Sequence, residues 1–176
     1  MKSVNKFLIL ILSTVFFAGF STAQTAPAAA KIDTTLLIND LKTLSADDME
    51  GRGFGQPGGA KALKYVEKRF KESGLTAFGS SYLQPFQEVR PNGTKLEGAN
   101  VIGYIEGKRN PDRYIIVTAH FDHLGIRNGQ IFNGADDNAS GTSALFAMAA
   151  YFKRERPENT IIFAALDGEE GGLRGA

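Results

Sequence analysis

The spacing of apolar residues predicts a chain of alternating helices and strands. From Thr34 to Leu44, the residues Leu36, Leu37, Leu41 and Leu44 recur at helical spacing, and Ser45 to Gly59 then breaks into a glycine-rich loop, Gly51-Arg-Gly-Phe-Gly-Gln-Pro-Gly-Gly59. A second helix is expected over the apolar face Ala62, Leu63, Val66 and Phe70, with Gly74 where a helix end wants a residue tolerant of positive φ. After a loop holding Pro85 and Pro91, Ala99 to Ile105 reads as a strand and Tyr114 to Ala119 as a second, nearly continuous apolar one. Ser140 to Arg154 is a helix with Leu145, Met148, Ala149 and Phe152 on one face, and Thr160 to Leu166 is again a buried strand. Strand, helix, strand implies an α/β fold with a mixed, largely parallel central sheet flanked by helices.

The first residues depart from that pattern. Lys2 and Lys6 precede an apolar run from Phe7 to Phe20, and the small residues Ser21-Thr22-Ala23 follow, the layout of a secretory signal peptide over 1–23. The run is shorter than the roughly 20 residues of a spanning helix, so cleavage after Ala23 and no remaining membrane attachment are expected. Residues 24–32 then read as a linker and 33–176 as one folded unit. Of the 20 basic residues, the signal segment holds two and no acids, leaving 18 basic against 19 acidic and a net charge near −1, which argues against nucleic acid as a partner. Cysteine is absent, so an exported protein of this kind has no disulfides and relies on its core, or on metal. Export to the periplasm or the extracellular space is the expected localisation.

In a largely parallel α/β sheet, ligands bind beyond the carboxyl ends of the strands. There the chain places His120-Phe-Asp-His123, Asp167-Gly-Glu-Glu170 and, at a helix start, Gly134-Ala-Asp-Asp-Asn-Ala-Ser-Gly141. Histidines and carboxylates converging on one sheet edge are the donor types that zinc takes. His120 and Asp122 point to one side of an extended strand, which lets the carboxylate orient the imidazole. Glu169 and Glu170 are adjacent, so their side chains diverge and can divide metal binding from base chemistry. Each motif alone has a plainer explanation: a solvated glutamate pair, a core histidine, or Asp136-Asp137 capping the following helix. His123 is read as structural or as a support to the ligands rather than a metal ligand itself, and Leu145, Met148, Ala149 and Phe152 as packing. Gly53-Phe-Gly-Gln-Pro-Gly58 fits a dinucleotide-binding glycine pattern, but it follows no buried strand and Pro57 lacks a backbone donor, so a surface loop near the cleft is expected. Asn92-Gly-Thr94 is a glycosylation pattern with meaning only in a eukaryote.

Together the motifs His120-Phe-Asp-His-Leu-Gly, Gly134-Ala-Asp-Asp-Asn-Ala-Ser-Gly and Glu169-Glu170-Gly-Gly-Leu-Arg-Gly closely resemble the secreted dizinc aminopeptidases, whose wider family includes glutamate carboxypeptidase and glutaminyl cyclase. The resemblance extends to Gly51-Arg-Gly and Ala99-Asn-Val-Ile-Gly. It implies a zinc exopeptidase fold holding two Zn2+, with His120 on one ion, Glu170 on the other and Asp137 bridging both. Glu169 would be the general base toward a metal-activated water, Asp122 would orient His120, and Asp137-Asn138 would be a cis peptide bond. The implied activity is removal of N-terminal residues from peptides; a carboxypeptidase, a cyclase or a metal-free recognition module are the alternatives.

Two further ligands of that family, an aspartate and a histidine, lie beyond the glutamate pair, so the resemblance implies that these 176 residues are an incomplete catalytic domain, inactive alone. The same incompleteness would leave an unpaired sheet edge and uncovered apolar faces on Ile161 to Leu166, prone to aggregation.

Overall fold

A computed structural model describes residues 31–176; the expected signal segment and nearly all of the expected linker lie outside the described residues. Helix α1, Thr34–Leu44, begins where Asp33 Oδ1 accepts the Leu36 N–H at 3.0 Å. A 3-10 turn, Asp47–Arg52, leads to α2, Pro57–Glu72, with proline at the first helical position, where its missing N–H is harmless. The second helix therefore starts inside the segment expected to be loop. Its end is as expected: Gly74 has φ +71° and the Leu75 N–H reaches back to Phe70 O at 3.3 Å. Asp40 of α1 takes a two-pronged bond from Arg69 of α2 (2.7 and 3.0 Å) and one from Tyr65, joining the two helices.

Strands β1 (Thr76–Ala77), β2 (Leu83–Val89), β3 (Lys95–Ile105), β4 (Asn110–His120) and β7 (Asn159–Leu166) form one mixed sheet in the order β1-β3-β7-β4, with β2 also on β3. Among the described residues the parallel share is confined to β4 and β7, which α3 (Ser140–Glu155) connects; the β2–β3, β1–β3 and β3–β7 pairs are antiparallel. The short turn around Asn92-Gly93 forces the first of these. The segment holding Pro85 is a strand rather than a loop: β2 pairs only with β3, and an edge strand tolerates a residue without an N–H. A small hairpin, β5 (Gly125–Arg127) and β6 (Gln130–Phe132), turns through Asn128-Gly129 at φ 52° and 76°.

Helix α1 packs on α3, and α2 and α3 cover one face of the sheet. There Val66, Phe70, Leu145 and Phe146 pack on Val101, Ile105, Ile161, Phe163 and Ala165, all buried. The expectation of an exposed Ile161–Leu166 is overturned, because β7 is central and paired on both sides. Among the described residues β4 is the open edge instead, and its Tyr114 and Ile116 are 62% and 63% exposed.

Candidate metal centre

Parallel pairing brings the carboxyl ends of β4 and β7 side by side, His120 opposite Leu166, and the Phe121 N–H continues the ladder to Leu166 O at 2.9 Å. The turns that follow, His120–His123 and Asp167–Glu170, are thus neighbours by construction. The third segment enters from the side: an irregular π-type turn, Ala135–Ala139, opens α3, and its Asp137-Asn138 peptide bond is cis. Asp136 does not cap that helix; Asn138 Oδ1 accepts the Gly141 N–H at 2.9 Å instead. The Thr142 hydroxyl of α3 donates to His120 O at 2.8 Å, locking the helix start to the strand end.

These segments bring all five sequence-derived candidates together. His120 Nε2 lies 3.0 Å from Asp137 Oδ1 and 4.0 Å from Glu169 Oε2. Its Nδ1 lies 3.1 Å from the backbone carbonyl of Asp122, which can only accept, so Nδ1 carries the proton and Nε2 faces the site. The orienting bond expected from the Asp122 carboxylate therefore comes from its main chain. The carboxylate, fully buried and 3.6 Å from the ring, instead accepts the N–H groups of Glu169 and Glu170 at 3.0 and 3.2 Å. Asp122 thereby sets the glutamate pair as well as the histidine.

Glu169 and Glu170 diverge. Glu169 turns to the His120 side with its side chain 37% exposed, whereas Glu170 accepts from His123 Nδ1 at 2.7 Å. Donor atoms of His123, Asp137 and Glu170 lie within 4.8 Å of one another, close enough to share an ion. His123, read from sequence as a structural neighbour, thus belongs to the cluster. Its place three residues after His120, in the turn beyond the strand, was the available signal.

The electrostatics fit a cation. Asp122 first, with a further contribution from Glu169, raises His120 to about 9 against the opposing effect of burial, so the metal-free site holds a proton where a metal ion would sit. Asp167, 4% exposed, is pushed up to about 7 by burial and by the charge of Asp122, and its oxygens accept the N–H groups of Gly168 (2.9 Å) and Ala99 (3.3 Å).

Two histidines and three carboxylates, gathered at the carboxyl ends of β4 and β7 and at the turn that opens α3, are donor types that zinc takes. The chain matches Peptidase family M28 over residues 100–176. It is 37% identical over 171 residues to a probable zinc metalloprotease of Pyricularia oryzae, covering 90% of this chain and 32% of that one. It is 30% identical over 142 residues to the alkaline phosphatase isozyme conversion protein of Escherichia coli, covering 72% and 40%. Among solved structures it resembles a glutaminyl cyclase from an Acidobacteriales bacterium (TM-score 0.65, 27% identity, 84% of this chain and 50% of that one). A Zn-dependent exopeptidase of Parabacteroides distasonis shares the fold (TM-score 0.66, 20% identity, 85% and 50%). The chain thus spans less than half of these curated relatives and about half of these solved chains.

Proposed function

We propose that the whole protein is an exported zinc exopeptidase that removes N-terminal residues from peptides, with Glu169 as general base. The supporting observation is the convergence of His120, Asp137, Glu169 and Glu170 where the ends of two parallel strands meet the turn that opens α3, with Glu169 toward His120 and Glu170 toward His123.

The donors would suit two zinc ions, with His120 offered to one, Glu170 to the other and Asp137 to both. Zinc bound there would supply Lewis-acid polarisation of the scissile carbonyl and a water acidified to near neutrality. Glu169, the most exposed of the histidine and glutamate side chains here, would take that water's proton and pass it to the leaving amine. Asp122 fixes where Glu169 sits through its backbone N–H. With Asp137 counted twice, His120 and Glu170 would give each ion two protein donors, and His123 would add a third beside Glu170; catalytic zinc sites ordinarily have three. On this reading residues 31–176 do not turn over substrate unaided.

The test is Glu169→Gln in the whole protein. Bound zinc should be retained while kcat on a leucine anilide falls by ~10²–10⁴. Unchanged kcat would remove Glu169 from the mechanism. The 27% likeness to a glutaminyl cyclase supports a second reading, cyclisation of N-terminal glutamine, and a glutaminyl peptide run in parallel separates the two.

A further inference from the structure

Arg52, in the Gly51-Arg-Gly run, is fully buried and forms no ion pair among the described residues. Its donors go to four backbone carbonyls: Nε to Phe121 at 2.6 Å, one terminal nitrogen to Leu44 and Asn133 at 2.5 and 2.7 Å, and the other to Gly134 at 2.8 Å. Phe121 stands between His120 and Asp122. Asn133 and Gly134 lead directly into the turn of Asp137, and Gly134 O also takes the Ala139 N–H at 3.1 Å, closing that turn. Arg52's own carbonyl accepts the His123 N–H at 3.2 Å. One planar, forked side chain thus touches both segments that bring donors to the site from the β4 side. A lysine has a single point of donation and cannot span them.

While Gly55 to Pro57 of the run expected to be a surface loop are exposed, the Gly51-Arg-Gly part of the glycine-rich loop is buried against the site's turns. Gly51 permits it: at φ +66° a Cβ would lie 2.5 and 2.6 Å from the carbonyl oxygens of Gly125 and Phe132. Burial lowers Arg52 to about 10, with the charges of Asp122 and Asp137 pulling the other way, so the guanidinium stays charged at neutral pH beneath the carboxylates.

We infer that Arg52 is a positioning residue of the metal centre, its guanidinium fixing the His120–His123 turn against the Asp137 turn and so setting the affinity for the ion. This rests on the metal-site reading above.

The test compares wild-type whole protein, Arg52→Lys and Asp137→Ala for zinc affinity, by competition with a chromophoric chelator, and for melting temperature with and without zinc. Arg52→Lys should bind zinc ~10–100-fold more weakly, the usual effect of removing a group that holds ligands in place, and the rise in melting temperature on adding zinc should shrink. A role confined to folding would lower both melting temperatures together and keep their gap. Zinc affinity within about twofold of wild type, with the gap intact, overturns the inference. Asp137→Ala separates the two claims: if it binds zinc as wild type does, the site reading fails and this inference falls with it. Should Arg52→Lys not fold, Arg52→Gln, which keeps one terminal amide donor but loses the fork, takes its place in the same two readouts. A severalfold weaker affinity is expected, and an unchanged one overturns the inference.

Discussion

Replacing Asp122 by asparagine removes a buried charge without changing shape, and the structure states what that removes. Both carboxylate oxygens accept backbone N–H groups, from Glu169 at 3.0 Å and Glu170 at 3.2 Å. An asparagine keeps one acceptor and turns an NH2 group toward the other N–H, so one charge-assisted bond is lost, worth ~1.5–3 kcal/mol. A smaller opposing gain comes from Asp167, which the Asp122 charge helps to push up. The net expectation for Asp122→Asn is a loss of about 2 kcal/mol in urea unfolding with an unchanged m-value. Because the lost bond also frees one of the two glutamates, kcat/KM should fall ~10–100-fold. Stability within about 0.5 kcal/mol of wild type, together with unchanged kcat/KM, would refute the claim that Asp122 holds the glutamate pair.

Asp167 gives the metal-free protein a pH dependence. Its folded value of about 7 lies above the ordinary 3.8, so between those values the folded state keeps a proton that the unfolded chain has released. Its contribution is fully present below about pH 4 and is lost as pH rises to 7, by at most ~4 kcal/mol. Unfolding between pH 5 and 6.5, below the range in which His120 adds its own loss, should show that slope in wild type and lose it in Asp167→Asn. Gly51→Ala should destabilise by about 2–5 kcal/mol in the same assay, from left-handed backbone strain plus the clash with Gly125 and Phe132. Ile116→Lys, on the exposed outer side of edge strand β4, should leave kcat/KM unchanged and slow aggregation measured by light scattering. Export predicts a mature N-terminus at Gln24, read directly by N-terminal sequencing.

Much of the site was legible because its chemistry sits where periodicity ends: His120 directly after an apolar strand, and Glu169-Glu170 directly after another. The helix α1 was read to its boundaries because its leucines repeat without interruption. Strand β2 was hidden by Pro85, which reads as loop until the strand is known to lie at an edge. The β5–β6 hairpin was too short for a pattern, although Asn128-Gly129 marked its turn. Arg52 was missed for a deeper reason. A charged residue in a glycine-rich run reads as solvated, and what buries it is a set of backbone carbonyls from nearby Leu44 and two distant segments, which side-chain identity does not report. For the same reason the exposed edge was misassigned to β7: strand order follows from the β3–β7 pairing, and composition does not encode it.

The measurement that bears most directly on the account is zinc content of the purified whole protein by elemental analysis, with hydrolysis of a leucine anilide followed before and after chelation. Two zinc ions per chain, activity lost on chelation and restored by zinc, and loss of metal in Glu170→Ala are the predicted result. A protein without zinc above background, or hydrolysis indifferent to chelation, would contradict it.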